Sequence, residues 1–269
     1  MTDWFDPIRN LLDVDYLQNN VRLLVLGMGR VARAFILMAA FHGVRSIVAV
    51  DPDWVTRRNF ASGFPERSMG IPKVWDMQTE LQQISSRISY RSHQMTLSPG
   101  SETAKAVEDW VEGSTHLGLF LDTFGTASSL VQIIHRHRPC VFAGVLQNGT
   151  TGESAFSVPG QTPCLNCTAR FWEKRGAEGG QTMLVDVIST VTVAFRQFMG
   201  LCLVERRGFD LFAPYVNPRF CLAVTINRPG GYVELADGRP DIPSGVKLVQ
   251  VVDGNGGGPS CPVCRGYRP

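Results

Sequence analysis

Two cysteine pairs, Cys164-Leu165-Asn166-Cys167 and Cys261-Pro262-Val263-Cys264, have the spacing that most directly implies chemistry in this chain. In a Cys-x-x-Cys knuckle a short loop lets two thiolates point at one ion. Two knuckles together make a closed tetrahedral four-cysteine site of the structural zinc type. The pairs lie far apart, and spacing alone leaves disulfides or a redox dithiol open. A closed site would tie the C-terminal tail to the body and would not be catalytic. Cys140, Cys202 and Cys221 fall at a strand start, in an apolar helix and in a strand. Those are packing positions rather than reactive ones.

The second constellation is Gly27-Met28-Gly29-Arg30-Val31-Ala32, which follows an apolar run and opens a helix. Gly27 permits a tight turn, Gly29 lets backbone approach a phosphate, and Ala32 allows close helix–sheet packing. The helix N-terminus adds N–H donors and partial positive charge. Asp51, about twenty residues further on at the end of the next strand, is placed to accept hydrogen bonds from ribose hydroxyls. The alternative is a tight turn with no ligand. Lys73 stands beside Pro72 at a helix start, where the dipole does not favour a cation. Either an anionic ligand calls for it, or it is an exposed surface lysine. His135-Arg136-His137-Arg138 reads as a solvated basic cap on a helix end, and Ser128-Ser129 has no Ser-His-Asp context.

These residues need a scaffold, and the pattern supplies one. Residues 21–26, apart from Arg22, and 46–50, after Ser46, are apolar, as in strands buried on both faces, with a helix at 31–42 between them. Alternation continues through a helix at 73–86, a strand at 88–91, a helix at 103–111, a strand at 117–121, a helix at 128–135 and a strand at 140–143. That pattern predicts an α/β fold: a doubly wound, Rossmann-like, mostly parallel sheet with helices on both faces. After about residue 144 the grammar changes. Residues 153–158 fit an antiparallel strand, 182–204 a long apolar helix, and 220–224, 232–235 and 246–252 short strands. The expected division is a helical segment over 1–20, then one domain over 21–269. Its Rossmann-like part spans 21–144, and a mixed or antiparallel extension with the zinc site spans 145–269.

The chain has 269 residues, 44% hydrophobic and 19% charged, which excludes disorder over its bulk. A net charge of +2 gives no warrant for a nucleic-acid partner. Of its 26 basic residues only four are lysines, Lys73, Lys105, Lys174 and Lys247. No apolar run reaches ~18 residues and no signal peptide is visible, so neither a membrane span nor export is expected. The expected compartment is the cytoplasm, where cysteine pairs favour metal over structural disulfides.

The stretch after Asp51, together with both cysteine pairs, resembles the E1-like superfamily of ThiF, MoeB, HesA and ubiquitin-activating enzymes. Members follow the glycine loop with Asp-x-Asp-x-Val, here Asp51 to Val55, then a Ser-Asn-Leu-x-Arg-Gln segment and a Gly-x-x-Lys, here Gly70 to Lys73. The likeness covers about residues 21–170 and returns at the C-terminal cysteines. It implies ATP as ligand, with Gly27, Gly29, Asp51, Asp53, Asn59 and Lys73 as nucleotide contacts. Asp51 would meet the ribose, and Asn59 and Lys73 the phosphates. It places zinc on Cys164, Cys167, Cys261 and Cys264. It implies adenylation of a C-terminal carboxylate on a small ubiquitin-like protein, sulfur-carrier protein or peptide. It also implies a homodimer, or a heterodimer with another such chain, paired through the helix at 182–204 and adjacent sheet surface.

The departures are specific. Arg30 stands where the family has Gly, and Ser62 where it has an arginine. Gly125 stands where a magnesium-binding Asp belongs, with Asp122 matching an upstream Asp. The candidate catalytic residues are therefore Lys73, Arg58 as a substitute cation, and Asp122 (or Asp53) as the Mg²⁺ ligand. Adenylation builds charge on phosphates that cations must offset. A relative that keeps the fold but binds nucleotide or a partner without turnover is the second reading. A nicotinamide-dependent oxidoreductase is the third, and it explains Gly27 and Asp51 but not Lys73 or the cysteine pairs.

Overall fold

A computed structural model describes residues 5–98, 101–122, 124–146, 151–168, 184–218, 221–226, 233–234, 240–241 and 245–249. The helices are α1 (Asp6–Arg9), α2 (Val14–Asn20), α3 (Arg30–Phe41), α4 (Lys73–Ile84), α5 (Ser101–Gly113), α6 (Phe124–Ile134) and α7 (Leu184–Cys202). The strands are β1 (Arg22–Leu26), β2 (Ser46–Val50), β3 (Ser89–His93), β4 (His116–Leu119), β5 (Cys140–Leu146), β6 (Thr151–Ser157), β7 (Leu222–Ile226), β8 (Val233–Glu234), β9 (Pro240–Asp241) and β10 (Gly245–Val249).

Eight strands form one sheet in the order β10-β7-β6-β5-β4-β1-β2-β3, and β8 pairs with β9 apart from it. From β3 to β5 the pairing is parallel; β6, β7 and β10 add antiparallel. The mostly parallel α/β expectation holds, and the change of grammar near residue 144 coincides with the switch to antiparallel pairing at β5–β6. β1 shows why its sequence is apolar beyond the exposed Arg22. Leu23 and Val25 enter a core that includes residues of α3, α4 and α7, while Leu24 and Leu26 enter a second core with α5 and α6. A strand covered on both faces cannot alternate polar and apolar residues.

Three elements carry detail that their sequence pattern alone does not define. The N-terminal segment forms two short helices, because the Asp13 side chain accepts from Tyr16 N and starts a new helix there. The basic run after α6 is not a wholly solvated cap. His135 is buried, and the Arg138 guanidinium donates to the carbonyls of Ser114 and Glu112 at the end of α5. α7 is long and apolar enough by length and composition to cross a membrane, yet 61% of that window is buried inside the fold. It packs on β5, β6 and α3, with Phe195 and Phe198 against Phe35 at ring separations of 6.2 and 5.2 Å. Its apolar girth is thus satisfied within the chain and does not by itself require a second one. Leu184, Val185 and Ile188 still face outward at its start.

Cys140, Cys202 and Cys221 are buried, and burial pushes their thiols up, that of Cys221 to about 11. Inert packing thiols fit these values.

His116 opens β4 with its ring edge-on to Phe198 at 5.8 Å. Burial lowers its pKa to about 4. Between pH 6.5 and 4 the unfolded imidazole takes a proton that the folded one refuses, so stability falls as pH falls. The wild type should lose about 3 kcal/mol more across that window than His116→Gln, measured by denaturant unfolding. Parallel pH profiles for the two proteins would refute this.

Candidate nucleotide site

The strand order reverses at β1, since β2 and β3 extend one way and β4 and β5 the other. Ligands of open α/β sheets bind at such switch points, beyond the strand C-termini. Gly27 stands there with φ +93°, against Phe120 at the end of β4. A Cβ at Gly27 would lie 2.5 Å from the Phe120 carbonyl oxygen, so this turn admits only glycine. Gly29 is the N-cap of α3, and a Cβ there would meet nothing within 4 Å. The backbone at the helix N-terminus is therefore open to close approach by an anion.

Asp51 is 6% exposed and does more than the sequence suggested. Its Oδ2 accepts from Met28 N at 2.6 Å, and its Oδ1 accepts from Asp53 N at 2.8 Å. It clips the glycine loop to the loop after β2. Burial raises its pKa; the Met28 hydrogen bond and the Lys73 charge pull it back. Each oxygen keeps a further lone pair that a ribose hydroxyl could meet.

Lys73 is not the exposed surface lysine that the sequence left open. Its side chain is 10% exposed, with Nζ 2.7 Å from Asp53 Oδ2, and its own N–H donates to Asp53 O at 3.0 Å. An isolated bridge between Trp54 and Pro72 holds the same two segments together. Glycine loop, Asp51, Asp53 and Lys73 thus form one connected chain of contacts. Asn59 sits in the 3-10 turn Arg57–Ser62, where its Oδ1 accepts from Thr56 N at 2.7 Å. Its carbonyl serves the turn, and only its Nδ2 donors suit a phosphate.

The proposed catalytic substitutes are less integrated. Arg58 is exposed in the same turn and takes no part in the contacts joining Asp51, Asp53 and Lys73. Asp122 is exposed just beyond β4, close in sequence to the Phe120 that backs Gly27. Gly125 lies in the first turn of α6 and has no side chain to offer. Arg30 is half-buried, and burial lowers its pKa.

Cys164 and Cys167 bring their Sγ atoms to 3.6 Å at the start of a helical turn. That exceeds the ~2.05 Å of a disulfide and approaches the ~3.8 Å edge of a zinc tetrahedron with bonds of ~2.3 Å. Cys261 and Cys264 lie outside the described residues. Among the described residues no group of three or more metal-ligating side chains assembles.

A second buried cluster joins α3 to α4. Arg33 of α3 pairs with Asp76 and Glu80 of α4. Its signal was a lone charge in the apolar run Val31 to Ile36, opposite two acids spaced i, i+4 on another helix.

Sheet order, switch-point glycine loop and acid–lysine pair together define a doubly wound α/β protein with a candidate nucleotide site at its switch point. The model of the ThiF family matches residues 13–206, most of the chain. The chain belongs to the ThiF family. Among solved structures it is similar to Escherichia coli MccB crystallised with ATP, at 16% identity and a TM-score of 0.66. That match covers 93% of this chain and 68% of the other. The microcin C7 biosynthetic enzyme MccB with N-formylated MccA matches at 16% and 0.66, covering 93% and 69%. A protein named PaaA matches at 14% and 0.61, covering 87% and 67%. At these identities the likeness is one of fold. No curated protein sequence matches the chain.

Proposed function

We propose that this protein is an ATP-dependent adenylyltransferase that activates the C-terminal carboxylate of a peptide or of a small ubiquitin-like or sulfur-carrier protein. The carrying observation is the connected chain from the glycine loop through Asp51 and Asp53 to Lys73 at the switch point. Family membership and the fold shared with an MccB structure holding ATP support it. The MccB complex with N-formylated MccA favours a peptide among the possible substrates.

In this reaction a substrate carboxylate oxygen attacks the α-phosphorus of ATP. The bond to the bridging oxygen breaks, and pyrophosphate leaves. Gly29 and the α3 N-terminus would receive phosphate oxygens, Asp51 the ribose, and Asn59 and Lys73 the outer phosphates. Magnesium, when bound, would offset charge on the leaving group. Such ions are held by one or two carboxylates plus phosphate oxygens, a modest demand that Asp122, or Asp53 in its place, would meet. Zinc on Cys164, Cys167, Cys261 and Cys264 would be structural. The same reading places the protein in the cytoplasm, as a homodimer or paired with another chain of the family.

Gly125 and Ser62 favour one other reading, a nucleotide-binding subunit without turnover. ATP–pyrophosphate exchange separates the two. With Mg-ATP and a panel of peptides and small carriers with free C-termini, exchange should appear only with a matching carboxylate. ATP binding without exchange for any member of the panel would establish the subunit reading.

A further inference from the structure

We propose that Arg33 is a positioning residue for the phosphate site. It holds the helix bearing Lys73 in register with the helix that follows the glycine loop. The inference rests on the nucleotide reading above and adds to it the element that aligns the site's two halves.

Arg33 lies in the first turn of α3, where its N–H donates to Gly29 O at 3.0 Å. A cation at a helix N-terminus opposes the dipole, and this one is only 10% exposed. It needs strong partners, and they come from two other elements. Its Nε donates to Gly63 O at 3.0 Å, and its guanidinium lies 5.0 Å from the Phe64 ring centroid, both in the crossover loop. Its Nη1 is 3.5 Å from Asp76 Oδ2 and pairs with Glu80 Oε2. Ser68, also in the crossover loop, donates to Asp76 Oδ1. One guanidinium therefore joins α3, the crossover loop and α4.

The placement relates to the ligand site at both ends. Arg33 is one helical turn from Gly29, and Asp76 is one turn from Lys73 on α4. The cross-link joins the two helix starts that would face phosphates. Arg33 does not replace the arginine lost at Ser62, because its guanidinium faces two carboxylates rather than the crevice. It acts through them. Through Asp76 and Glu80 of α4 it sets the reach of Lys73 on the same helix. A buried ion cluster is weak evidence for stability, since apolar groups of equal volume often serve as well. What this one adds is a tie between three elements.

A purely structural brace would weaken every nucleotide alike. Loss of a brace for Lys73 should weaken ATP selectively, because ATP carries more phosphate charge to that lysine than AMP. Asp76→Asn keeps the shape of the cluster and removes one charge. It should raise the Mg-ATP dissociation constant about tenfold while AMP stays within about twofold. Amide exchange over residues 57–76 should quicken. Arg33→Lys keeps the charge but lacks the fork, and should show the same selective loss. If Asp76→Asn does not fold, Glu80→Gln, at the more exposed acid, reads the same ratio. A folded variant with the wild-type ATP-to-AMP ratio overturns this inference alone. Absence of Mg-ATP binding by the wild type overturns the nucleotide reading and this inference with it.

Discussion

Lys73→Met should weaken Mg-ATP binding by roughly 10- to 100-fold and leave AMP within about threefold, as measured by calorimetry. The lysine is buried at the start of α4, and its ammonium is held 2.7 Å from the Asp53 carboxylate. Asp53 is 56% exposed, so the pair itself is worth only about 0–1 kcal/mol. Polyphosphate can draw Lys73 away from Asp53 at small cost, and the variant should remain folded. Asp51→Ala should behave differently. It leaves the N–H groups of Met28 and Asp53 without their acceptor, so both nucleotides should weaken together and the fold should lose about 1–3 kcal/mol. Equal losses of ATP and AMP on replacing Lys73 would remove it from the outer phosphates. No binding by the wild type at millimolar nucleotide would end the enzyme reading.

Cys164→Ser should reduce zinc from about one ion per chain toward none and lower the melting temperature by roughly 10 °C. Thiolates are far better zinc ligands than hydroxyls, and metal that binds only the folded chain contributes its binding energy to stability. Cys164 and Cys167 are buried with their sulfurs at a separation suited to a shared ion. The same substitution should leave the ATP-to-AMP affinity ratio unchanged, because a closed structural site does not touch substrate. Elemental analysis finding no zinc in the wild type, or a disulfide between the two knuckles, would overturn the assignment.

Where local physics decides, the sequence was legible. Arg22–Leu26 and Ser46–Val50 could be read from apolar runs because strands buried on both faces have no other composition. Gly27 could be read because the turn after β1 needs positive φ and a close approach to Phe120. Lys73 stood out because a cation at a helix start is unfavourable without an anion nearby. What stayed hidden depends on contacts distant in sequence. Nothing near His135 announces its burial, and nothing near Asp51 announces that both its oxygens hold backbone amides. Nothing in the pattern of α3 says which partner Arg33 meets, because its two acids lie on α4.

By itself, then, the sequence determined the alternation of strands and helices, the glycine turn, the acid that ends β2 and the spacing of the cysteine knuckles. Each of these follows from periodicity, a φ value or the reach of a short loop. The tertiary structure alone decided that Lys73 is buried against Asp53, that Arg33 joins three elements, and that α7 is mostly buried within its own fold. Those outcomes depend on which elements become neighbours once the sheet has closed its order. Side chains far apart in the chain then share a low-dielectric interior, where a charge must find a partner.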